Sequence, residues 1–255
     1  MRSALATLRT AFADGQANRA SFVFQIVLMA VNDIAWIVFW GLFFHRVGTA
    51  NGWTFHDIIV MFSLLTVVAG IGLGLFANCR RIGRMVADSS IDEVLILPVR
   101  PLGQLLCRRV EPINLGDLVF GVILFLVAAG PTPERILLFG ACVLLGVCVM
   151  VAFLVWVGSF TFFVGGRGEH ADLGFNALLL LASYPLDFFG GPVRVLLFTI
   201  VPAAFITGVP VSLMRHFAPG PFALVVSAAV VLGVLAWSTF HLGLRRYASG
   251  SLWMR

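Results

Sequence analysis

The chain has 255 residues, of which 60% are hydrophobic and 11% are charged, and its formal net charge is +5. This composition excludes a soluble globular domain of ordinary kind, whose surface must be largely polar. Several uninterrupted apolar stretches reach about 18 residues, which is long enough to cross the hydrocarbon layer as helices. We therefore predict an all-α integral membrane protein.

All 17 basic residues are arginine, and lysine is absent. A phosphate-binding P-loop needs a lysine to reach the terminal phosphates of ATP, so this chain cannot carry that motif. A positive balance in a membrane chain is typical of cytoplasmic loops, and we expect no nucleic-acid partner. The histidines and cysteines form no metal-ligand or catalytic pattern, so no catalytic, metal-binding or cofactor-binding residue is predicted.

The first 20 residues predict an amphipathic helix at the membrane interface, because Leu5, Leu8 and Phe12 recur at helical spacing among charged side chains. A frayed polar tail is the alternative. Residues 21–255 are predicted to form a single transmembrane domain. Its six predicted spans cover residues 21–44, 58–77, 113–130, 136–164, 173–191 and 221–244.

A further apolar segment follows the fifth span almost directly, and it contains Pro202 and Pro210, which interrupt a helix. If it crossed the membrane, 11 of the 17 arginines would lie on the side of the N-terminus, against 13 if it did not. The positive-inside rule favours the second arrangement. We predict that residues 192–216 form a re-entrant hairpin at the outer face, with both termini cytoplasmic in a bacterial inner membrane.

An acidic residue lies deep in the first span. An ionisable group near the bilayer centre is costly, so Asp33, beside Asn32, is a candidate for a substrate path. Trp36 and Trp40 follow on the same helix, and aromatic rings attract cations, so this set favours a cationic substrate. A structural hydrogen bond to another helix or protomer is the alternative for Asp33.

The longest polar stretch, residues 78–112, lies between the second and third spans and carries six arginines and four acids. Ser89 and Ser90 precede Asp92 and Glu93 as a helix start would, with serine as the N-cap. We predict a short cytoplasmic helix that docks a soluble partner. A solvated loop that only enforces topology is the alternative.

Small residues in the second span predict close helix packing, because Gly70 and Gly74 form a GxxxG pattern. At the outer end, Asp187 and Arg194 flank a turn and are predicted to pair. Asp117 lies near the cytoplasmic end of its span and needs no function by this interpretation.

Four stretches together resemble the type-2 ABC exporter permeases, in particular the short bacterial branch whose ATPase is a separate chain and whose permease is often encoded beside a second one. These stretches are Gly52-Trp53-Thr54; Ile91 to Pro101, in which acids and leucines precede Pro98-Val99-Arg100-Pro101; Ser183 to Val209-Pro210; and the closing Gly243 to Gly250. Where the family often has a glycine before the coupling acid, this chain has Ser89 or Ser90.

The resemblance implies the type-2 ABC exporter fold: six transmembrane helices, an N-terminal interface helix, and a re-entrant hairpin before the last span. It implies that residues 78–112 are a coupling loop, in which Asp92, Glu93, Pro98 and Arg100 face the ATPase. Two copies of that ATPase, which binds ATP and Mg²⁺, and a second permease, identical or paralogous, are the implied protein partners within the lipid membrane.

Three functions follow as hypotheses from different classes. The first is the permease subunit of an ABC exporter for an amphipathic, lipid-like or drug-like substrate. A secondary transporter would need inverted repeats and several coupling acids in its spans, and the chain shows no convincing repeat. The third alternative is a non-transporting membrane scaffold or immunity protein that binds a partner.

Overall fold

The computed structural model describes residues 19–96, 101–128, 130, 132–166 and 168–247. These residues are helical, with a single isolated bridge between Ala50 and Trp53 and no strand. The helices are α1 Arg19–Val47, α2 Phe55–Leu75, α3 Ile82–Ala87, α4 Asp92–Leu95, α5 Pro101–Cys107, α6 Leu115–Ala128, α7 Pro133–Ser159, α8 Thr161–Val164, α9 His170–Ala182, α10 Gly191–Thr199, α11 Gly208–Arg215 and α12 Pro219–Arg246. Short 3₁₀ turns lie at Ala77–Arg81, Pro112–Asn114, Leu186–Phe188 and Pro202–Phe205.

Four of the described helical segments are long and apolar enough to cross a membrane, namely Val23–Val47, Phe55–Leu75, Pro133–Val164 and Pro219–Arg246. The number rises to six if each of two bent pairs counts as one span. Pro101–Cys107 with Pro112–Val127 bends by 69°, and Gly191–Thr199 with Pro202–Arg215 bends by 67°. The chain is therefore a multi-pass membrane protein with four to six candidate spans.

The helix at the centre of the bundle is α2, which is apolar on all sides and buried along most of its length. It packs against α1, α6, α7 and α11. Its first turn is closed by a capping box, in which the Thr54 hydroxyl accepts from the Asp57 amide and the Thr54 amide donates to Asp57 Oδ2 at 2.8 Å. A helix that is apolar all round belongs in a protein core or a membrane span, and most of α2 is covered by protein.

Glycines on α2 face α6 at backbone distance. A Cβ atom on Gly70 would lie 2.9 Å from the Asn114 carbonyl oxygen and 2.5 Å from the Leu118 amide nitrogen, and one on Gly74 would lie 3.1 Å from Leu115 Cδ2. Small residues let two helix backbones approach until van der Waals contact is complete, which is a main source of helix association where no water is present. The two glycines of the GxxxG pattern thus line a contact within this chain.

The bundle has two chemically distinct ends. The arginine-rich end carries residues 76–96 and 101–114 and the start of α9, where Arg80 and Arg84 both pair with Asp172. The distal end carries the α1–α2 turn, where Trp53 Nε1 donates to Asp187 Oδ2 at 2.9 Å. The chain therefore runs from the arginine-rich end to the distal end between Asp172 and Asp187.

After Asp187 the chain turns into the bundle and comes back to the same end. Pro202 opens a buried 3₁₀ turn, the Thr207 hydroxyl donates to the Ala182 carbonyl at 3.1 Å, and Arg215 reaches Asp57 beside Trp53. Pro210 occupies the first turn of α11, where a missing amide leaves no helical hydrogen bond unmade.

The fifth predicted span, 173–191, is shorter as a helix than expected. It is helical only over the 13 residues of α9, and the chain then passes Pro185 into the 3₁₀ turn Leu186–Phe188. At about 1.5 Å per residue α9 is roughly 20 Å long, against a hydrocarbon layer of about 30 Å. The residues after Ala182 complete the passage to the distal end in irregular form.

The loop after α2 is folded rather than extended, but serine does not cap its short helix as predicted. The N-cap of α4 is Ile91, without a side-chain hydrogen bond, and Ser89 has a positive φ of 62°. The Ser90 amide and hydroxyl donate instead to Asp88 Oδ1, at 3.0 and 2.7 Å. This is an Asx turn, in which the aspartate side chain accepts from the backbone amide two residues later, and it forms here in place of the serine cap.

We expect Gly70→Ala to destabilise the protein by about 1–3 kcal/mol, since the added methyl group must push α6 away from α2. Gly140→Ala in α7 is the matched control, because a Cβ there meets nothing within 4 Å. Thermal unfolding in detergent micelles measures both. Equal unfolding temperatures for the two variants would contradict the close α2–α6 contact.

Candidate functional site

A cavity of about 520 Å³ lies between α1, α2, α6 and α9. It is lined mostly by apolar side chains and contains two carboxylates and few other polar groups. Its lining residues are Leu28, Met29, Asn32, Asp33, Trp36, Phe62, Leu65, Thr66, Ala69, Asp117, Leu179, Leu180 and Ser183. Concave apolar sites with a small number of placed polar groups are typical of ligand pockets.

Asp33 is placed in this cavity with its neighbour Asn32. The Asn32 amide donates to Asp33 Oδ1 at 3.4 Å, a long and weak contact between adjacent residues on α1. The other carboxylate oxygen, Oδ2, is buried and has no hydrogen-bond partner among the described residues. A buried acceptor without a donor is costly, and a ligand that supplies a donor or a positive charge removes that cost.

Asp117 is the residue that the sequence interpretation missed. It lies in the first turn of α6, and α6 begins only at Leu115, so Asp117 faces the same cavity as Asp33. The available signal was the same for both residues, namely an acid inside an otherwise apolar span. Counting residues from the span end placed Asp117 at the membrane surface, whereas the packing of α6 against α2 puts it in the cavity lining.

The Thr66 and Ser183 hydroxyl groups of the cavity both donate their hydrogen bonds to backbone carbonyls. The Thr66 hydroxyl donates to the Phe62 carbonyl at 2.8 Å, and the Ser183 hydroxyl donates to the Leu179 carbonyl at 2.7 Å. Each hydroxyl oxygen therefore presents acceptor lone pairs to the cavity. With two carboxylates and no basic side chain in the lining, the cavity is rich in acceptors.

The two tryptophans of the predicted substrate path lie in different environments. Trp36 lines the cavity, and its ring centroid is 6.0 Å from those of Phe62 and Tyr184. Trp40 is 2% exposed and belongs to an adjoining aromatic cluster with Phe44 and Phe188. Trp40 supports the wall but does not line the cavity.

At the arginine-rich end, α4 has one buried face and one exposed face. Ile91 and Val94 are fully buried, whereas Ile96 is 82% exposed and Glu93 forms an exposed ion pair with Arg108 at 3.0 Å. Asp92 lies in the first turn of the same helix. Pro98 and Arg100, the other two predicted coupling residues, lie outside the described residues.

The distal end is held by a polar network that sequence interpretation did not predict. Arg215 Nε donates to Asp57 Oδ1 at 2.7 Å, and its guanidinium carbon lies 4.7 Å from the Trp53 ring centroid. Asp57 is 7% exposed, and its other oxygen accepts from Thr54. This network ties α11 to the first turn of the central helix across 158 residues of sequence.

Asp187 joins the same network from the other end of the segment that enters the bundle. Its backbone carbonyl accepts from the Asn51 amide at 3.1 Å, in addition to the Trp53 bond. The predicted pairing of Asp187 with Arg194 is confirmed, with Nη1 and Oδ1 separated by 3.2 Å. No group of three or more His, Cys, Asp or Glu residues in the described ranges is arranged to hold a metal ion.

We expect Arg215→Gln to destabilise the protein by about 1–3 kcal/mol, because it leaves the buried Asp57 carboxylate without its cation. Asp57→Asn should cost about 1 kcal/mol, because the Arg215 side chain is partly exposed and water compensates part of the loss. The double variant should lose less unfolding free energy than the two single variants lose together. Denaturant unfolding in mixed micelles should give a coupling energy of at least about 0.5 kcal/mol. Arg194→Gln, from the more exposed pair with Asp187, should lose no more than about 1 kcal/mol. Strict additivity of Asp57→Asn and Arg215→Gln would contradict the network.

Comparison with known proteins gives one match. Neither the curated proteins nor the solved structures include a chain that matches this one. The model of a protein family described as "ABC-2 family transporter protein" matches residues 30–251, which include Asp33 and Asp117 and most of the α1 residues that line the cavity. Together with the multi-pass helical bundle, this match shows that the chain belongs to the ABC-2 family of transporter membrane proteins.

Proposed function

We propose that the chain is the permease subunit of an ABC exporter that moves amphipathic cations out of the cytoplasm. The observation that carries this proposal is the acceptor-rich cavity shared by Asp33 and Asp117. Two carboxylates in a membrane-embedded site are stable only if a positive charge or protons compensate them. The apolar remainder of the lining suits the hydrophobic part of such a substrate, and Trp36 offers a ring face to its charge.

ATP hydrolysis is assigned to a separate ATPase in two copies, which would bind the ATP and Mg²⁺. The family match supports a membrane subunit that works with an ATPase. Next to Glu93 of α4, Leu95 and Ile96 are 38% and 82% exposed, so this side of the loop is open to a partner at the arginine-rich end. Pro98 and Arg100 follow in sequence and complete the proposed coupling segment.

A second permease, identical or paralogous, is proposed to pack beside this one. Only 6% of the apolar window of α1 is buried within the chain, although this helix carries Asp33. Ionisable residues in membrane-spanning helices face protein or a water-filled path rather than lipid, so we expect a protein surface beside α1. The two copies would then enclose a common translocation path.

Six crossings with both termini in the cytoplasm of a bacterium are proposed for the topology. The passage from Asp172 to Asp187 supports α9 as the fifth crossing. The contacts of Asp187 and Arg215 with the same α1–α2 turn support a segment that enters and leaves at one face. Irregular backbone at this depth is tolerated because it is buried in protein.

We expect Asp33→Asn and Asp117→Asn each to reduce export of a cationic dye by about tenfold, the effect of losing roughly 1.4 kcal/mol of attraction. Efflux from cells that also express the partner ATPase measures this, and efflux should stop when the ATPase is omitted. Glu134→Gln removes one exposed carboxylate at the start of α7 and should leave efflux unchanged. Unchanged efflux in both aspartate variants would remove the cationic role.

We expect a membrane-impermeant maleimide to label Cys107 in inside-out vesicles but not in intact spheroplasts. Cys107 is exposed at the arginine-rich end, whereas Cys79 is buried there and burial raises the pKa of its thiol to about 12, so Cys79 should stay unlabelled. Glu134→Cys in a Cys107→Ser background is the matched probe of the distal end and should show the reverse pattern. Labelling of Cys107 in spheroplasts would contradict the proposed orientation.

A further inference from the structure

A second recess, of about 360 Å³, lies at the arginine-rich end between the end of α2, the 3₁₀ turn after it and the start of α9. Its polar lining is dominated by charge, with four arginines and two acids. These charged residues are Arg80, Arg81, Arg84, Arg109, Glu111 and Asp172. The recess therefore has a net charge of +2, from four positive and two negative side chains.

Three of the arginines are held in place by the two acids. Asp172 pairs with Arg80 and Arg84 through its two oxygens, and Glu111 accepts from Arg109 at 2.9 Å. Arg80 is held further by the Phe175 ring, whose centroid lies 4.5 Å from the guanidinium carbon. Arg80 is therefore held on two sides, whereas the pairs of the half-exposed Arg84 and Arg109 restrain them less. Guanidinium groups that are restrained before a ligand arrives lose less entropy on binding.

Arg81 carries a charge that no acid of the recess lining pairs with. Asp88, outside that lining, offsets part of it: partial burial raises the pKa of Asp88, but hydrogen bonds from Ser90 and the charge of Arg81 lower it. Arg81 itself forms no ion pair with any of the residues that the structure describes. A half-buried guanidinium beside three ordered ones favours an anion with several acceptor oxygens.

The position of the recess indicates where that anion comes from. Leu73 and Ala77 form its apolar edge, and Leu73 lies one helical turn beyond Ala69 of the cavity lining. Asn114 lines the recess three residues before Asp117 of the cavity. The recess thus lies at the end of the α2–α6 seam, at the depth where apolar helix gives way to charged loop and where phospholipid headgroups reside.

We propose that this recess binds the phosphate group of an anionic membrane phospholipid, with Arg81 as the main contact and Arg80, Arg84 and Arg109 around it. A lipid held there closes the end of the seam below the acidic cavity. The ATPase is assigned to α4 and the residue after it, where the exposed Glu93 and Ile96 are not part of the recess lining. The inference goes beyond the transport function and does not depend on the identity of the exported substrate.

The test is titration of the full-length chain in detergent micelles with phosphatidylglycerol or phosphatidylcholine, followed by native mass spectrometry. We expect phosphatidylglycerol to bind more tightly than phosphatidylcholine, and Arg81→Gln to weaken it by about tenfold or more, as for the loss of one charge-assisted contact. The phosphatidylglycerol affinity of Arg81→Lys should fall between those of the unchanged protein and Arg81→Gln, because lysine keeps the charge but lacks the planar guanidinium group. Arg245→Gln is the matched control, since Arg245 is exposed at the same end outside the recess.

Several results would overturn the proposal. Unchanged phosphatidylglycerol affinity in Arg81→Gln, or an equal loss in Arg245→Gln, would show that no specific site exists. Full displacement of the lipid by millimolar inorganic phosphate would identify a free-phosphate site instead. Loss of the co-purified ATPase with unchanged lipid binding would assign Arg81 to protein docking. If Arg81→Gln does not fold, Arg109→Gln carries the same test, and none of these results depends on dye export.

Discussion

The close approach of α2 to α6 determines where every other element of the bundle can lie. Gly70 and Gly74 remove the side chains that would separate the two backbones, and Gly121 on α6 meets Ser63 and Thr66 on α2 in the same way. The Ser63 hydroxyl then reaches the Gly121 carbonyl at 2.8 Å. With α2 fixed at the centre, α1 and α9 are left as the outer walls of the acidic cavity. The glycines thus specify both the packing and the site.

The chemistry of that cavity follows from the hydrogen bonds that its hydroxyl groups already make within their own helices. Hydroxyl protons are used within α2 and at the end of α9, which leaves oxygen lone pairs and carboxylates toward the interior. Ligands with positive charge or donors complement such a surface, whereas anions are repelled. The recess at the arginine-rich end has a net positive lining instead. The contact between α2 and α6 is therefore flanked by an acidic cavity at one depth and a basic recess at another.

The fold class, the long spans and the placement of Asp33 and Trp36 could be predicted because each depends on local properties: apolar length and an acid within it. Contacts between distant segments could not. The Arg215–Asp57 pair joins residues that no periodicity relates, and Asp117 reached the cavity through helix packing. The prediction of a serine cap on α4 was wrong, because the helix begins one residue later with Ile91 as N-cap, while the Ser90 amide and hydroxyl donate to Asp88. The exact number of crossings stays a prediction, since α6 and α9 are shorter than a full span.

The fork of Asp172 has a mechanical consequence. The Asp172 carboxylate forms ion pairs with Arg80 and Arg84, which follow α2. Asp172 itself lies in the first turn of α9. Leu179 and Leu180 of the cavity wall lie two turns further along the same helix. A hydrogen-bonded helix is stiff over this length. A displacement of the loop after α2 is therefore transmitted along α9 to the cavity wall. A single side chain thus makes the loop and the wall one moving part.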